Sequence, residues 1–498
     1  MNRSSPSKSR WVGIALALFL ALAFQGVRGL YSPDEGRYTD VALVMLDSGD
    51  WVHPMLHHEV PHWSKPPLTY WSIAASVRAF GRNEFAARLP SALAFALTLL
   101  LAVPLGRRFV PRQPWLPAVV YASFAFPVLA ANLVTTDTLL ALWETLGVLA
   151  FTQLWWAIDN RAAARARLLL GVALGLAFLT KGPPGLLPFA GCVVFALWSE
   201  GLAGLRRCVG WSTLLALLLV GGSWYALVVV QEHDVLRYFL VEEVVNRVAS
   251  DKMHRNAEWY GAFKVYLPTL LLGTLPWLPV LLRGAWRHRR DALAQLRGDA
   301  GLRLLACWLL LPLAVFMLAR SRLPLYVLPL FMPLALLAAR QLAPLAWQPW
   351  WKPALLGVWC LGLVALRTVS FDAKADDREL ARGIAAHFIH APDEIAFVDE
   401  PPRFGLRFYL GSEIERLELP GEAPAAQTQA FDSELAEHEG CRLFLIGSDR
   451  RAALATALQQ HAREWSDVDL GRYAGFAQKS HDCDWQAPQP PAVKLAAP

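Results

Sequence analysis

Cysteine and charge are both scarce in this chain of 498 residues. The six cysteines lack the spacing of metal ligands, so a cysteine-based metal site is not predicted. Charged residues make up 18% of the chain, whereas 55% of its residues are hydrophobic. Because this composition is too apolar for an ordinary soluble protein, the chain is predicted to cross a membrane.

An internal repeat is also missing, and the first apolar run has no convincing small-residue cleavage site. This run, Trp11 to Leu30, follows Arg3, Lys8 and Arg10. We therefore interpret it as a retained membrane helix and not as a removed signal peptide.

About eleven apolar runs could span a bilayer, and cationic residues lie in the short loops between them. With the N-terminus in the cytoplasm, nearly all arginine clusters fall inside, so the net charge of +6 indicates orientation and not nucleic-acid binding. The predicted runs are 11–30, 86–105, 115–131, 138–157, 168–180, 184–199, 211–230, 263–282, 302–319, 323–339 and 353–370.

The sequence changes character after residue 370, which divides the chain into a membrane domain, 1–370, and a tail, 371–498. With a cytoplasmic N-terminus, an odd number of helices places the tail outside the cytoplasm. Alternating helical and β-type segments predict a small α/β domain there. The segments are helices at 377–387 and 452–465 and strands at 394–398, 406–410, 414–419 and 442–446. Outside the cytoplasm, Cys441 and Cys483 could form a disulfide.

A polar stretch from Tyr31 to Tyr70, within a predicted outer loop at 31–85, separates the first two apolar runs. Ser32-Pro33-Asp34-Glu35 has the form of a capping box with proline at the first helical position, so a helix is predicted to start here. At helical spacing Asp34 falls on the apolar side of this helix, where a carboxylate is costly unless a polar cavity receives it. For Glu35 we prefer the simpler interpretation that it stabilises the helix N-terminus.

Other polar residues of the predicted outer side lie next to apolar runs. Cations at such positions are expected where a lipid phosphate is held, and carboxylates on the same side could supply a base or a metal site. Simpler structural interpretations exist for several of them: Arg320 and Arg322 could snorkel at a helix end, and Lys181 could be a helix C-cap partner. The histidines at 53, 57, 58 and 62 match no standard metal site and are interpreted as solvated loop residues. The set comprises Asp34, Glu35, Arg37, Lys65, Asp137, Lys181, Glu242, Arg247, His254, Arg320, Arg322 and Tyr326.

Four motifs resemble those of the bacterial lipid A aminoarabinose transferases, within the wider dolichyl-phosphate-mannose protein mannosyltransferase-like superfamily. They are YSPDEGRY at 31–38, SGDW at 48–51, KPPLTYW at 65–71 and NEFAARLP at 83–90. The resemblance continues in order through Asn132–Asp137, Leu179–Gly182, Arg247–His254 and Leu323–Tyr326. It implies a mainly α, polytopic type C glycosyltransferase fold and an undecaprenyl-phosphate sugar donor, used on the periplasmic face with inversion at the anomeric carbon.

The resemblance also implies roles for individual residues. Asp34 and Asp137 would be the essential carboxylates, with Asp34 as base. The donor phosphate would be bound by Arg37, Lys65 and Arg247, with Tyr326 near it, and His254 would match a metal-contacting histidine. Supporting residues would be Glu35, Lys181, Arg320 and Arg322.

One position departs from the family pattern. The aminoarabinose transferases have glutamate directly before the lysine of KPP, and this chain has Ser64. A divalent metal shared by that glutamate and the histidine would therefore lose one ligand here.

We predict an inner-membrane glycosyltransferase whose acceptor is lipid A or another glycolipid. A protein O-mannosyltransferase shares the fold and the Asp-Glu motif and is the alternative within enzymes. A lipid-linked sugar flippase would place functional polar residues near mid-membrane and on both sides, whereas here they collect on one side. A structural assembly factor is the remaining alternative.

Overall fold

The computed structural model describes residues 6–56, 60–232, 235–239, 241, 256–344, 351–369, 373–419, 429–431, 435, 440–459, 465–478 and 483. Contacts divide the chain into two compact units. The first unit comprises Met1–Val27, Trp51–His53 and Trp63–Val369, and the second comprises Arg28–Asp50, Pro54–His62 and Ser370–Pro498.

The regular secondary structure of the first unit is helical in the residues that the structure describes. Short 3-10 segments at Pro183–Leu186 and Pro324–Leu330 and a π segment at Leu218–Gly222 adjoin its α-helices. The α-helices are Pro6–Leu22, Leu68–Phe80, Glu84–Phe109, Leu116–Ser123, Ala125–Ala130, Thr136–Trp155, Asn160–Lys181, Leu187–Cys208, Trp211–Leu217, Ser223–Gln231, Val235–Arg237, Gly261–Gly273, Leu278–His288, Ala292–Gly298, Ala300–Leu318, Phe331–Leu342 and Trp351–Leu366.

Seven helical segments in the described part of the chain are long and apolar enough to cross a membrane. An eighth span is possible if Gly261–Gly273 and Leu278–His288, which meet at 106°, count as one. The predicted run 115–131 is two short helices, because Phe124 has extended backbone angles. The predicted runs 11–30 and 353–370 contain the shorter apolar helices Gly13–Leu22 and Pro353–Leu366. The chain is a multi-pass membrane protein, as its apolar runs predicted.

Glycines allow the helix Asn160–Lys181 to pack closely against its neighbours. A Cβ atom on Gly171 would lie 2.4 Å from the carbonyl oxygen of Thr213, and one on Gly175 would lie 2.7 Å from Cβ of Val220. Small residues permit such approaches between helices in a membrane, where dispersion contacts replace the hydrophobic effect. These contacts fix the helix that ends in Lys181.

The second unit contains a six-stranded mixed sheet in the order β3-β2-β1-β4-β6-β5. Strands β3, β2, β1 and β4 are parallel, whereas β6 is antiparallel to both β4 and β5. The strands are β1 Glu394–Val398, β2 Glu413–Glu418, β3 Gln429–Ala430, β4 Arg442–Gly447, β5 Trp465–Asp469 and β6 Tyr473–Gln478. The helices of this unit are Asp34–Ser48, Asp377–Ala385, Gly405–Leu410 and Arg451–Gln459.

The central strands β1 and β4 are buried at every position, which is why each reads as a nearly continuous apolar run. The α/β class predicted for the tail is therefore confirmed. The strand predicted at 406–410 was wrong: Gly405–Leu410 is a helix that ends at Gly411 in the left-handed conformation, with φ 85°. A short, mostly apolar segment such as Leu406–Leu410 does not distinguish a buried strand from a buried helix. Cys441 and Cys483 form a disulfide.

Candidate active site

A buried ion pair joins two consecutive helices of the first unit. Asp137 is the second residue of the helix Thr136–Trp155, and Lys181 is the last residue of the helix Asn160–Lys181. Because only residues 156–159 connect these helices, they run antiparallel and the start of the first meets the end of the second. Nζ of Lys181 donates to Oδ1 of Asp137, and the two side chains are 6% and 7% exposed.

Tyr326 completes this cluster. It lies in the 3-10 segment Pro324–Leu330, and the centre of its ring is 4.3 Å from Nζ of Lys181. An ammonium over an aromatic face is stabilised by the ring quadrupole, more so where water is excluded. The structure thus brings together three residues predicted from separate motifs: Asp137, Lys181 and Tyr326. We refer to them as the lysine cluster.

Glu144 is a polar residue of this region that the sequence analysis missed. It follows Asp137 by seven residues, two helical turns, and therefore faces the same side of the helix. Its side chain is buried, and Oε2 has no hydrogen-bond partner among the described residues. An ionisable residue inside a membrane helix is by default a functional candidate. The Asp-to-Glu spacing of seven within an apolar run was the signal that could have found it.

The predicted phosphate ligand Lys65 is also buried, with 8% exposure. Its Nζ donates to the carbonyl oxygen of Ser64 at 2.6 Å. The helix predicted after the two prolines is present as Leu68–Phe80. A buried lysine at the entrance to a helix is a suitable cation for an anionic ligand.

Arg320 and Arg322 differ in their surroundings. Arg320 is exposed after the helix Ala300–Leu318. Arg322 is 5% exposed, and its Nη1 donates to the carbonyl oxygens of Asn256 and Glu258 at 2.7 and 2.8 Å. Snorkelling therefore does not describe Arg322, which binds the backbone before the helix Gly261–Gly273.

In the second unit the motif YSPDEGRY forms the start of the helix Asp34–Ser48, here called the first-loop helix. Asp34 pairs with Arg37 one turn later, and the two side chains are 39% and 23% exposed. The helix ends at Gly49, whose φ of 74° lies in the left-handed region that glycine adopts without strain. The predicted start of the helix is confirmed.

The predicted capping box is not formed, because Glu35 accepts the N–H of Tyr31 and the N–H of Ser32 donates to the carbonyl oxygen of Ala375. Ser32 does not cap the helix, and its hydroxyl donates to Asp377 instead. Glu35 accepts the backbone N–H of Tyr31 at 2.9 Å and forms a bidentate pair with Arg28, at 2.5 and 3.1 Å. Since Glu35 is buried and satisfied, the geometry agrees with a structural role for Glu35, while Asp34 keeps a partly exposed carboxylate.

Several residues named above lie outside the described part of the chain: His57, His58, Glu242, Arg247 and His254. His62 is buried, with 4% exposure, so the prediction of a solvated residue was wrong at this position. In the described ranges no group of three or more His, Cys, Asp or Glu side chains could hold a metal ion.

Three comparisons identify similar proteins. Residues 64–225 match the family model described as dolichyl-phosphate-mannose-protein mannosyltransferase. The chain is 38% identical over 340 residues to an undecaprenyl phosphate-alpha-4-amino-4-deoxy-L-arabinose arabinosyl transferase of Pseudomonas aeruginosa (strain UCBPP-PA14), covering 66% of this chain and 58% of the relative. A second such transferase, from Pseudomonas fluorescens (strain Pf0-1), is 35% identical, with 67% of this chain and 60% of the relative covered. The chain thus spans about three-fifths of the length of these relatives.

The fold resembles a solved structure over nearly its whole length. A crystal structure of ArnT from Cupriavidus metallidurans bound to undecaprenyl phosphate superposes with a TM-score of 0.79 and 20% identity, covering 97% of this chain and all of that one. The fold is therefore the polytopic type C glycosyltransferase fold with a small C-terminal sheet domain, as predicted. By sequence, the chain is similar to these aminoarabinose transferases and, over residues 64–225, to the dolichyl-phosphate-mannose-protein mannosyltransferase family.

Proposed function

We propose that this protein transfers a sugar from a polyprenyl-phosphate donor, undecaprenyl phosphate in a bacterium, to lipid A or another glycolipid. The observation that carries the proposal is the lysine cluster, a buried cation fixed by a carboxylate and an aromatic ring, in a chain 38% identical to a named undecaprenyl-phosphate-dependent arabinosyl transferase. The motifs YSPDEGRY and KPPLTYW support the same substrate class.

The proposed reaction is a single displacement with inversion. The acceptor hydroxyl oxygen attacks the anomeric carbon, and the bond between that carbon and the phosphate oxygen breaks with its electron pair going to the phosphate. Asp34 takes the hydroxyl proton as general base. Negative charge grows on the departing phosphate, and Arg37, Lys65 and Arg247 would stabilise it electrostatically.

The lysine cluster has a positioning role in this proposal. Asp137 holds the ammonium of Lys181 in one place, so that no reorganisation is needed when charge develops on the donor. The aromatic ring of Tyr326 also attracts the ammonium group and favours the same position.

A divalent metal would have one charged ligand fewer in this chain than in the aminoarabinose transferases. Ser64 offers a neutral hydroxyl where the family glutamate would offer a charged oxygen, and hard cations prefer carboxylate ligands. In the proposed reaction the charge of the departing phosphate would be met by arginine and lysine side chains.

The proposed location is the bacterial inner membrane, with a cytoplasmic N-terminus and a periplasmic C-terminal domain. The arginine-rich loops fall on one side of the predicted spans. The disulfide between Cys441 and Cys483 supports the periplasm, because such bonds persist in oxidising compartments.

The test uses proteoliposomes that contain a polyprenyl-phosphate sugar pool and both lipid and protein acceptors. Wild type is compared with Asp34→Asn, Lys65→Ala and a control, Glu200→Gln, which alters a half-exposed surface pair with Arg207. We expect a sugar mass shift in the lipid fraction for wild type and control, and a loss of about 100-fold or more for Asp34→Asn.

The fraction that gains mass decides between acceptor classes. A shift in the protein fraction alone would instead favour the protein O-mannosyltransferase, the activity after which the matching family model is described. Transfer by Asp34→Asn at the wild-type rate would contradict the proposed base.

A further inference from the structure

The first-loop helix has two functionally different sides. At 100° per residue, Gly36, Asp40 and Asp47 fall on one side and Asp34 lies almost opposite Gly36. Within the second unit, the C-terminal residues contact the side that carries Gly36, Asp40 and Asp47. Asp34 itself pairs with Arg37.

The first anchor fixes the entry to this helix. Asp377 is fully buried and accepts the hydroxyl of Ser32 at 2.8 Å and Nε of Arg403 at 2.7 Å. Backbone bonds reinforce it: Asp377 N–H donates to the carbonyl of Leu30 and Ser32 N–H to that of Ala375, both at 2.9 Å. Backbone hydrogen bonds therefore join the segment before Asp34 to residues 375–377, as they would join two neighbouring strands.

The second anchor is a close approach between two glycines. A Cβ atom on Gly36 would lie 2.5 Å from the backbone nitrogen of Gly405, at the start of the helix Gly405–Leu410. No side chain fits in that space without a backbone shift. The contact thus fixes the distance between the first-loop helix and the C-terminal domain.

The third anchor is Arg407, whose side chain is 7% exposed. Its Nη2 donates to Oδ2 of Asp47 at 3.0 Å, and its Nε is 3.8 Å from Oδ1 of buried Asp40. One arginine therefore spans two carboxylates that lie two helical turns apart. It fixes the rotation of the first-loop helix about its own axis.

We infer that the C-terminal domain positions Asp34 by holding the opposite side of its helix, with Asp377 and Arg407 as positioning residues. This inference rests on the proposed function, in which Asp34 is the base. The anchors hold the segment before the helix, its first turn at Gly36 and its later turns at Asp40 and Asp47, and so fix the helix in position and in rotation. A displacement of about 1 Å at a reacting group can lower the rate by roughly 100-fold, so the anchors are expected to act on kcat.

The experiment uses the full-length chain in proteoliposomes, with a polyprenyl-phosphate sugar as donor. Arg407→Ala, Arg407→Lys and Asp47→Asn are compared with Arg451→Ala, a control that removes an exposed arginine paired with Asp467 in the same domain. For each variant, kcat and the KM for the donor are measured. Amide hydrogen exchange is followed in the first-loop helix and in strands β1 and β4.

We expect Arg407→Ala to lower kcat by about 10- to 100-fold while the KM for the donor changes less than about 3-fold. Exchange should accelerate in the first-loop helix and stay slow in β1 and β4. Arg407→Lys should restore part of kcat, and Arg451→Ala should match wild type.

If Arg407→Ala unfolds the domain, Asp47→Asn tests the positioning role instead. Asp47 is 55% exposed, and its replacement leaves Asp40 beside Arg407. Faster exchange of the helix with an unchanged kcat would overturn the positioning role and leave the proposed function intact. Activity of Asp34→Asn at the wild-type rate would instead contradict the proposed function, whatever the anchors do.

Discussion

Lys181 and Asp137 form an ion pair at the junction of two membrane helices, and each side chain is less than a tenth exposed. Two opposite charges are stable there only together, because either one alone would remain buried without a counter-charge. The pair therefore contributes to the fold as well as to the proposed chemistry. The two contributions can be separated by mutation.

We expect Lys181→Met or Asp137→Leu alone to lower the free energy of unfolding by about 3–5 kcal/mol. The double variant should recover most of that loss, since it leaves no isolated buried charge, but it should not recover sugar transfer. Thermal unfolding in detergent and the transfer assay measure the two effects.

Arg207→Ala is the matched control for the single and double variants of Lys181 and Asp137. It breaks an exposed pair with Glu200, 39% and 42% exposed, and should cost less than about 1 kcal/mol. A double variant that transfers sugar at the wild-type rate would show that the pair is structural only.

The buried carboxyl group of Glu144 is predicted to lower the stability of the protein. Its buried Oε2 lacks a hydrogen-bond partner in the described part of the chain, and an ionisable group inside a membrane helix is expensive. Glu144→Gln should therefore unfold at the same temperature as wild type or higher. A lower unfolding temperature, measured beside Asp137→Asn, would show that the carboxyl makes a stabilising contact.

The stability of the second unit is predicted to depend on pH through Asp377. Burial raises the pKa of Asp377 from 3.8 to about 6, against the opposing effects of Arg403 and Ser32. The folded state binds the Asp377 proton more tightly than the unfolded state does. The contribution of protonated Asp377 to the free energy of unfolding is therefore fully present below about pH 4. It is lost as the pH rises towards 6, and the shift corresponds to about 3 kcal/mol.

Amide exchange of strand β1, corrected for the intrinsic pH dependence of exchange, should report this change between pH 4 and 7. Asp377→Asn should remove the part of this pH dependence that comes from Asp377, since an amide does not titrate. Equal slopes for the variant and wild type would mean that Asp377 is already ionised at pH 4.

The disulfide is predicted to stabilise the C-terminal domain and to report its compartment. Cys441 and Cys483 are 42 residues apart, and a loop of that size corresponds to about 4 kcal/mol in the chain-entropy account. Replacing both with serine should lower the free energy of unfolding of the domain by that order. In wild type isolated without reductant, neither thiol should react with a maleimide until the protein is unfolded and reduced; reaction of both without reductant would contradict a periplasmic domain.

Much of the fold could be predicted because membrane spans and buried strands are local signals. The apolar runs placed seven spans, and the segment at 394–398 was correct to the residue as β1. The hairpin β5–β6 was missed, since its strands contain polar and small residues and gain stability from pairing with β4. At 100° per residue Asp40 and Asp47 fall on one side of their helix, and in the structure Arg407 contacts both.

The long-range partners could not be predicted. Nothing local joins Lys181 to Asp137, 44 residues earlier, or Arg407 to Asp47, 360 residues earlier. Such pairs depend on which elements the fold brings together, and a single sequence carries no signal for that. The roles of Asp34, Arg37, Lys65 and Tyr326 in sugar transfer stay predictions.

The hydrogen bond between Ser32 and Asp377 joins residues 345 positions apart. A ribosome must therefore synthesise the whole membrane domain before the first-loop helix meets the residues that hold it. During that time the segment carrying Asp34 is already outside the ribosome but lacks its native neighbours. Under the proposed function, Asp34 would reach its native position only after the C-terminal domain is made, so a partly synthesised chain in the membrane would consume the lipid-linked sugar more slowly than the complete protein.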